Sequence, residues 1–326
     1  MLHRIGFLLL LLSSACLIPA HAQHLVTDIA VSGSPSGVAV NPNNNRIYVS
    51  LGTATGYAVA VIDGSTNTVI DTVTVSHAFV ITANPVNGRV YTAGCNFGQS
   101  PFTCGVTVID GTTNAVIATI PIIPKTEIIG LQGIAVDPTT NRIYVADDNN
   151  FRIQVIDGYT NTVVAHIKTY QQLFLGLTVD TSTNQVLAAI DGDEMAVIDG
   201  STHAITRIKV GTDNANVAVN SITHRAYLTN ETFAPSTLGV VNLVTSKVVA
   251  NVPTGNNPFA VCVDPVSNLV FVTNKGDSTI AVVDGKTNTK SGSVTVSSNF
   301  IDVNPITKLL YTSDDSGADI VHVISE

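Results

Sequence analysis

Residues 37–50 read GVAVNPNNNRIYVS, and after a variable loop the chain continues with Val61-Ile62-Asp63-Gly64. Two signals alternate in this stretch. Gly37 to Val40 and Arg46 to Val49 carry apolar residues at a period of two, while the Pro- and Asn-rich run between them, Asn41 to Asn45, is turn chemistry. Val59 to Ile62 is nearly continuous apolar, and Thr68 to Val75 alternates again, so the segment reads as four short antiparallel strands.

The same phrase returns along the whole chain. Its turn marker is Asn41, Asn84, Asp137, Asp180, Asn220, Asp264 and Asn304, at separations of 43, 53, 43, 40, 44 and 40 residues. The second strand carries Tyr48, Tyr91, Tyr144, Tyr227, Phe271 and Tyr311, with Leu187 in the fourth copy. Asp63, Asp110, Asp157, Asp199 and Asp284 mark the end of the third strand, where Asn242 and Ser325 stand in for Asp. Four-stranded units at this period predict an all-β, seven-bladed propeller, because each sheet can hide both apolar faces only against its neighbours around an axis. Asp63-Gly64-Ser65-Thr66-Asn67 predicts a hairpin in which Asp accepts backbone N–H bonds and Gly supplies a positive φ. Arg46 is expected opposite Asp63, Arg89 opposite Asp110 and Arg142 opposite Asp157, as exposed register pairs worth about 0–1 kcal/mol each.

The last repeat stops after Val321-His322-Val323-Ile324 and lacks a fourth strand. His24 to Ser34 resembles the fourth-strand segment Lys247 to Gly255, so the N-terminal strand is expected to complete the last blade and remove both open sheet edges. With Phe271-Val272-Thr273-Asn274, Tyr227-Leu228-Thr229-Asn230, the Asn-Pro turn and the Val-Ile-Asp-Gly hairpin, the chain resembles the YVTN-type β-propeller repeat family over Gln23 to Glu326. That resemblance implies an extracytoplasmic propeller and supplies no catalytic motif; Leu187-Ala188-Ala189 departs from it.

Arg4, the apolar run Ile5 to Leu12 and Ala20-His21-Ala22 predict a signal peptide over residues 1–22, leaving 23–326 as one exported domain. The run is short for a transmembrane span, which needs about 20 apolar residues, and no later stretch replaces it. Cys16 follows Ser13-Ser14-Ala15, but Ser13 occupies a position where a lipoprotein site prefers Leu, so cleavage without acylation is the reading taken. In an oxidising compartment Cys95 and Cys104 are expected to pair as a loop staple, and Cys262 to be a buried thiol.

Charged residues are only 12% of the 326, apolar residues 45%, and the formal net charge is −9. The acids concentrate in the loops expected on the top face, which disfavours nucleic acid as a partner and favours a cation or a basic surface. Asp147-Asp148 and Asp191-Gly192-Asp193-Glu194 offer the hard oxygens Ca²⁺ prefers, without EF-hand spacing; no other cofactor is expected. Around the channel mouth, Phe79, Gln132, Phe259 and Asn299 align just before the first strands and Phe174 lies one step earlier. These aromatics either hold an apolar ligand or plug the core. His77 is the one histidine assigned to the top loops. Asp302 aligns with Ala39, Thr82, Ala135, Thr178, Ala218 and Cys262, and is either a site carboxylate or a cap for nearby backbone N–H groups. The reading reached is a monomeric, non-catalytic scaffold binding a protein, peptide or small cationic or apolar ligand. The alternative is a hydrolase, lyase or quinoprotein-like oxidoreductase using the acidic loops.

Overall fold

The computed structural model of this chain describes residues 23–96, 102–122, 130–190, 192–211, 213–230 and 236–326. The expected leader, residues 1–22, lies outside them. The described residues form seven four-stranded antiparallel sheets. Their innermost strands touch in cyclic order, and the seventh returns to the first. In the first blade the strands are Ser34–Asn41, Arg46–Thr53, Gly56–Asp63 and Thr68–Val75. The middle two are buried along most of their length, and the outermost alternates between exposed and buried, as its sequence requires.

The last blade consists of Ile301–Asn304, Leu309–Ser313 and Ile320–Ser325, completed by Leu25–Ala30 from the other end of the chain. The closing strand runs antiparallel to Ile320–Ser325, with Asp28 opposite His322. The propeller with its borrowed strand is therefore the fold.

Core packing lies between blades. Tyr48, for example, is fully buried against Ile81 and Ile109 of the second blade. Two hydroxyls at this position reach the next blade's hairpin: Tyr48 donates to the Gly111 carbonyl at 3.3 Å and Tyr311 to Asn67 Oδ1 at 3.0 Å, the latter across the seam between seventh and first blades. A buried phenol is stabilised by such a partner, which Tyr91, equally buried, lacks among the described residues.

Two expectations about the turns are corrected. Arg46, Arg89 and Arg142 do stand opposite Asp63, Asp110 and Asp157. Yet only Arg142 pairs with its own Asp, while Arg46 and Arg89 donate to the carbonyls of Gly111 and Gly158 in the following blade. Those carbonyls are fixed and partly buried, and so offer a better acceptor than a solvated carboxylate whose oxygens already bind turn N–H groups. The glycine after each Asp is also not the left-handed residue. That role belongs to Asn67, Asn114, Asn161 and Asn288, with φ of 54°, 57°, 55° and 56°. Gly64 is needed for close approach: a Cβ there would lie 2.5 Å from Asn45 Oδ1 and block the bond from Gly64 N–H to the Asn45 carbonyl at 2.8 Å.

Candidate functional site

The polar residues of the repeat mostly join one blade to the next. In the first-to-second-strand turns, Asn84 donates to Asn141 at 3.0 Å, Asn220 to Asn268 at 2.7 Å and Asn304 to Asn45 at 2.7 Å, each pair crossing a blade boundary. Asn45, Asn141 and Asn268 are left-handed, as are His224 and Lys308 at the same turn position. These last two face an acid instead of an amide: His224 Nδ1 lies 3.5 Å from Asp180 Oδ2, and Lys308 Nζ bonds Asp264. At five of the seven boundaries the first strand's end residue and the next blade's left-handed residue thus match in chemistry, amide to amide or acid to base; Asn41 with Gly88 and Asp137 with Asn184 do not follow this pattern. This correspondence was legible in the sequence only once the two positions were known to touch.

At the other face, the Thr of the Tyr-Val-Thr-Asn pattern does the same work. Thr229 Oγ1 donates to the Phe259 carbonyl at 3.1 Å, and Thr273 Oγ1 to the Asn299 carbonyl at 2.9 Å.

Three rings gather at the channel mouth. Phe300 meets Phe79 edge-on at a centroid distance of 5.8 Å and Phe259 at 5.5 Å. All three pack onto the largest apolar cluster. Lys275 Nζ sits 3.9 Å above the Phe259 ring and 3.2 Å from Asp315 Oδ1. Gln132, half-buried, lines a cavity of about 240 Å³ with Tyr57, Phe79 and Leu131. Phe174 belongs to the strand Leu173–Asp180, and its side chain is outside the described set.

His77 is buried, not presented on a loop surface; its Nε2 lies 3.0 Å from Thr103 Oγ1 and its Nδ1 has no partner. Burial holds its pKa below the usual value, so the ring is neutral near pH 7. Asn299 contributes its backbone, donating to the Ser313 carbonyl at 2.8 Å, while its Oδ1 is buried without a partner. Asp302 points into the channel and accepts two backbone N–H bonds, from Val40 and from Val303, each at 2.8 Å. The first crosses the closure seam. Burial raises the Asp302 carboxyl to about 6, against the lowering by the two N–H groups.

The acidic loops are more neutralised than a count of loop residues implies. Arg152 lies 3.0 Å from Asp147, Arg207 3.2 Å from Glu194 and Lys209 3.3 Å from Asp193, all from strands that end at this rim. Asp147 is almost fully buried and also accepts from Asn150 and Gln154, at 2.8 and 2.6 Å. Asp148, equally buried, accepts from Leu173 N–H at 3.1 Å and Gln172 at 3.2 Å. Asp191 lies outside the described residues. No group of three or more His, Cys, Asp or Glu suited to a metal occurs among the described residues.

Cys95 and Cys104 form a disulfide directly across the second blade's middle strands. The fold places His322 between carboxylates, with Nδ1 2.7 Å from Asp28 on the closing strand and Nε2 3.3 Å from Asp314. Burial would raise the Asp314 pKa, but bonds from Ser316, His322 and the Ala318 and Ser316 N–H groups hold it below the usual carboxylate range.

Comparison with known proteins agrees with this architecture. The NHL repeat family matches residues 130–156, which hold the inner strands of the third blade. The chain is also similar to "Uncharacterized protein YncE" of Salmonella typhi and of Salmonella typhimurium, 25% identical over 161 residues in each case. The alignment covers 47% of this chain and 45% of those proteins, so the chain spans a little under half the length of the curated relatives it matches. These similarities and the seven sheets together support a β-propeller repeat family.

Proposed function

We propose that this chain is an exported YVTN-type propeller that acts as a non-catalytic binding scaffold, offering its top rim to a basic protein or peptide. The observation that carries the reading is the state of the rim acids. Asp213, Asp277 and Asp319 are exposed and form no ion pair among the described residues, whereas Asp147, Asp193, Glu194 and Asp315 are each matched by a cation. The free acids are spread over loops of different blades, an arrangement suited to a broad basic surface and not to acid and base groups acting on one bond. The disulfide is consistent with an oxidising, exported location, and no helix among the described residues is long and apolar enough to cross a membrane.

Capture from native envelope extract on immobilised chain tests the proposal. A stoichiometric basic partner is expected, retained at low salt and lost on the triple change Asp213→Asn, Asp277→Asn, Asp319→Asn. Capture that ignores both salt and the triple change would overturn it.

A further inference from the structure

The propeller axis holds a cavity of about 260 Å³, close to the lower end of small-molecule pockets, which begin near 300 Å³. Its wall is built from the first strands of the blades. Phe300 and Leu175 stand at the mouth end, and Val219 and Val263 beside the turns. Between them runs one ring of equivalent positions, of which Thr178, Ala218, Cys262 and Asp302 line the space.

Six of the seven ring positions are Ala, Thr or Cys, and one carries a carboxylate. A charge there is needed for neither the repeat nor the packing, since small residues serve at every other blade. Its two backbone bonds hold both oxygens in place, and each oxygen keeps the capacity to accept a second donor. Blade four is nearly opposite blade seven in a ring of seven, so Thr178 and Asp302 line the cavity from nearly opposite sides of the axis. The Thr178 hydroxyl has no hydrogen bond within the described chain. Asn216, which also lines the wall, uses Oδ1 on its neighbour's N–H at 2.8 Å and keeps its amide donors free.

We infer that the axial cavity is a binding site for a small organic cation bearing a primary ammonium, which Asp302 receives while Thr178 and Asn216 contact a polar group at its far end. A divalent metal fits the wall poorly, because Ca²⁺ takes six to eight oxygen ligands and Asp302 is the one carboxylate lining the space. An ammonium needs one negative partner and tolerates the apolar walls around its carbon chain. Burial already weakens ionisation of Asp302, and a bound cation reverses that penalty. The one other titratable group on this wall, the Cys262 thiol, is pushed well up by burial and stays neutral. Binding therefore strengthens as pH rises through about 6.

The site is separate from the top rim, and so its test is separate. The purified chain is titrated by calorimetry and thermal unfolding with 1-butylamine, ethanolamine and 1,4-diaminobutane, against 1-butanol as the neutral control. At pH 8 the amines are expected to bind and raise the unfolding temperature, butanol to do neither, and both effects to weaken at pH 5. Asp302→Asn should weaken binding about tenfold or more, the loss of one charge-assisted contact. Thr178→Val, which preserves the shape of the wall, should weaken ethanolamine and 1,4-diaminobutane more than butylamine. Failure of all three amines to bind the unaltered chain overturns the inference, as does binding undiminished in Asp302→Asn. Partner capture by the rim is read in the same preparations, and its loss or survival bears only on the scaffold proposal.

Discussion

Lys308→Asn isolates one blade boundary, because it removes the base from the single seam where a lysine holds a fully buried acid. Lys308 is left-handed at φ 61°, a conformation Asn accepts more readily than Lys. Its Nζ bonds Asp264, whose side chain has no exposure, and lies 3.7 Å from Glu326 Oε2. Burial would raise the Asp264 pKa, but bonds from Glu326, Lys308 and the Val266 N–H hold it down. Burial and the Asp264 partner raise Glu326 to about 6.

Breaking a wholly buried pair costs about 3–5 kcal/mol. Lys308 is 40% exposed, which screens part of that, and relief of the left-handed lysine returns up to about 1 kcal/mol. A net loss of about 1–2 kcal/mol at pH 8 follows, or roughly 2–3 °C in unfolding temperature for a chain of this size. The sign between pH 8 and pH 5 comes from Glu326, because the depressed Asp264 pKa governs stability only below the ordinary carboxylate range. Raised to about 6, Glu326 is ionised at pH 8, where Lys308 offsets two neighbouring charges, and carries a proton at pH 5. The deficit of Lys308→Asn should therefore narrow toward pH 5, where the two carboxyls share a proton.

Adding Asp264→Asn recreates the amide pair found between Asn220 and Asn268, and should recover most of the loss. Thermal unfolding of the four members of this cycle, at pH 5 and pH 8, measures the coupling directly. A Lys308→Asn protein as stable as the parent at pH 8, or a double variant no better than the single ones, would refute the matching of acid to base across the seams.

Asp302 carries the opposite pH dependence: raised to about 6 in the fold, it opposes folding as pH rises from the unfolded value, by up to about 3 kcal/mol above pH 6. Urea unfolding of Asp302→Ala between pH 4 and 7 should lack that slope, and an unchanged slope would exclude this group as its source. Cys95→Ser with Cys104→Ser should lower stability by roughly 2.7 kcal/mol at most, read by denaturant midpoint, since the closed loop is short. Deleting residues 23–34 removes the strand that covers Ile320–Ser325 together with the Asp28 contact to His322, so gel filtration should show aggregate or unfolded chain in place of a monomer. Millimolar Ca²⁺ should leave the unfolding temperature unchanged, because Asp147 and Asp148 are buried and already accept protein donors; an upward shift would restore them as ligands.

Alternation, turn residues and repeat spacing were enough to predict seven blades, four strands in each and the borrowed closing strand. These properties depend on neighbours within one strand or hairpin, where the distance along the chain fixes the distance in space. The Cys95–Cys104 bridge belongs to the same class, its partners nine positions apart on one hairpin. What crosses from blade to blade was not legible. Arg46 turns from Asp63 to Gly111 and Asn304 reaches Asn45, because blade packing decides which of several nearby acceptors is closest. The alignment singled out Asp302 as a charge among small residues, but only the closing of the ring decided that it bonds Val40 and fronts the axial cavity. Periodicity specifies each sheet, while the partners of its polar groups depend on the angle at which the next sheet is stacked.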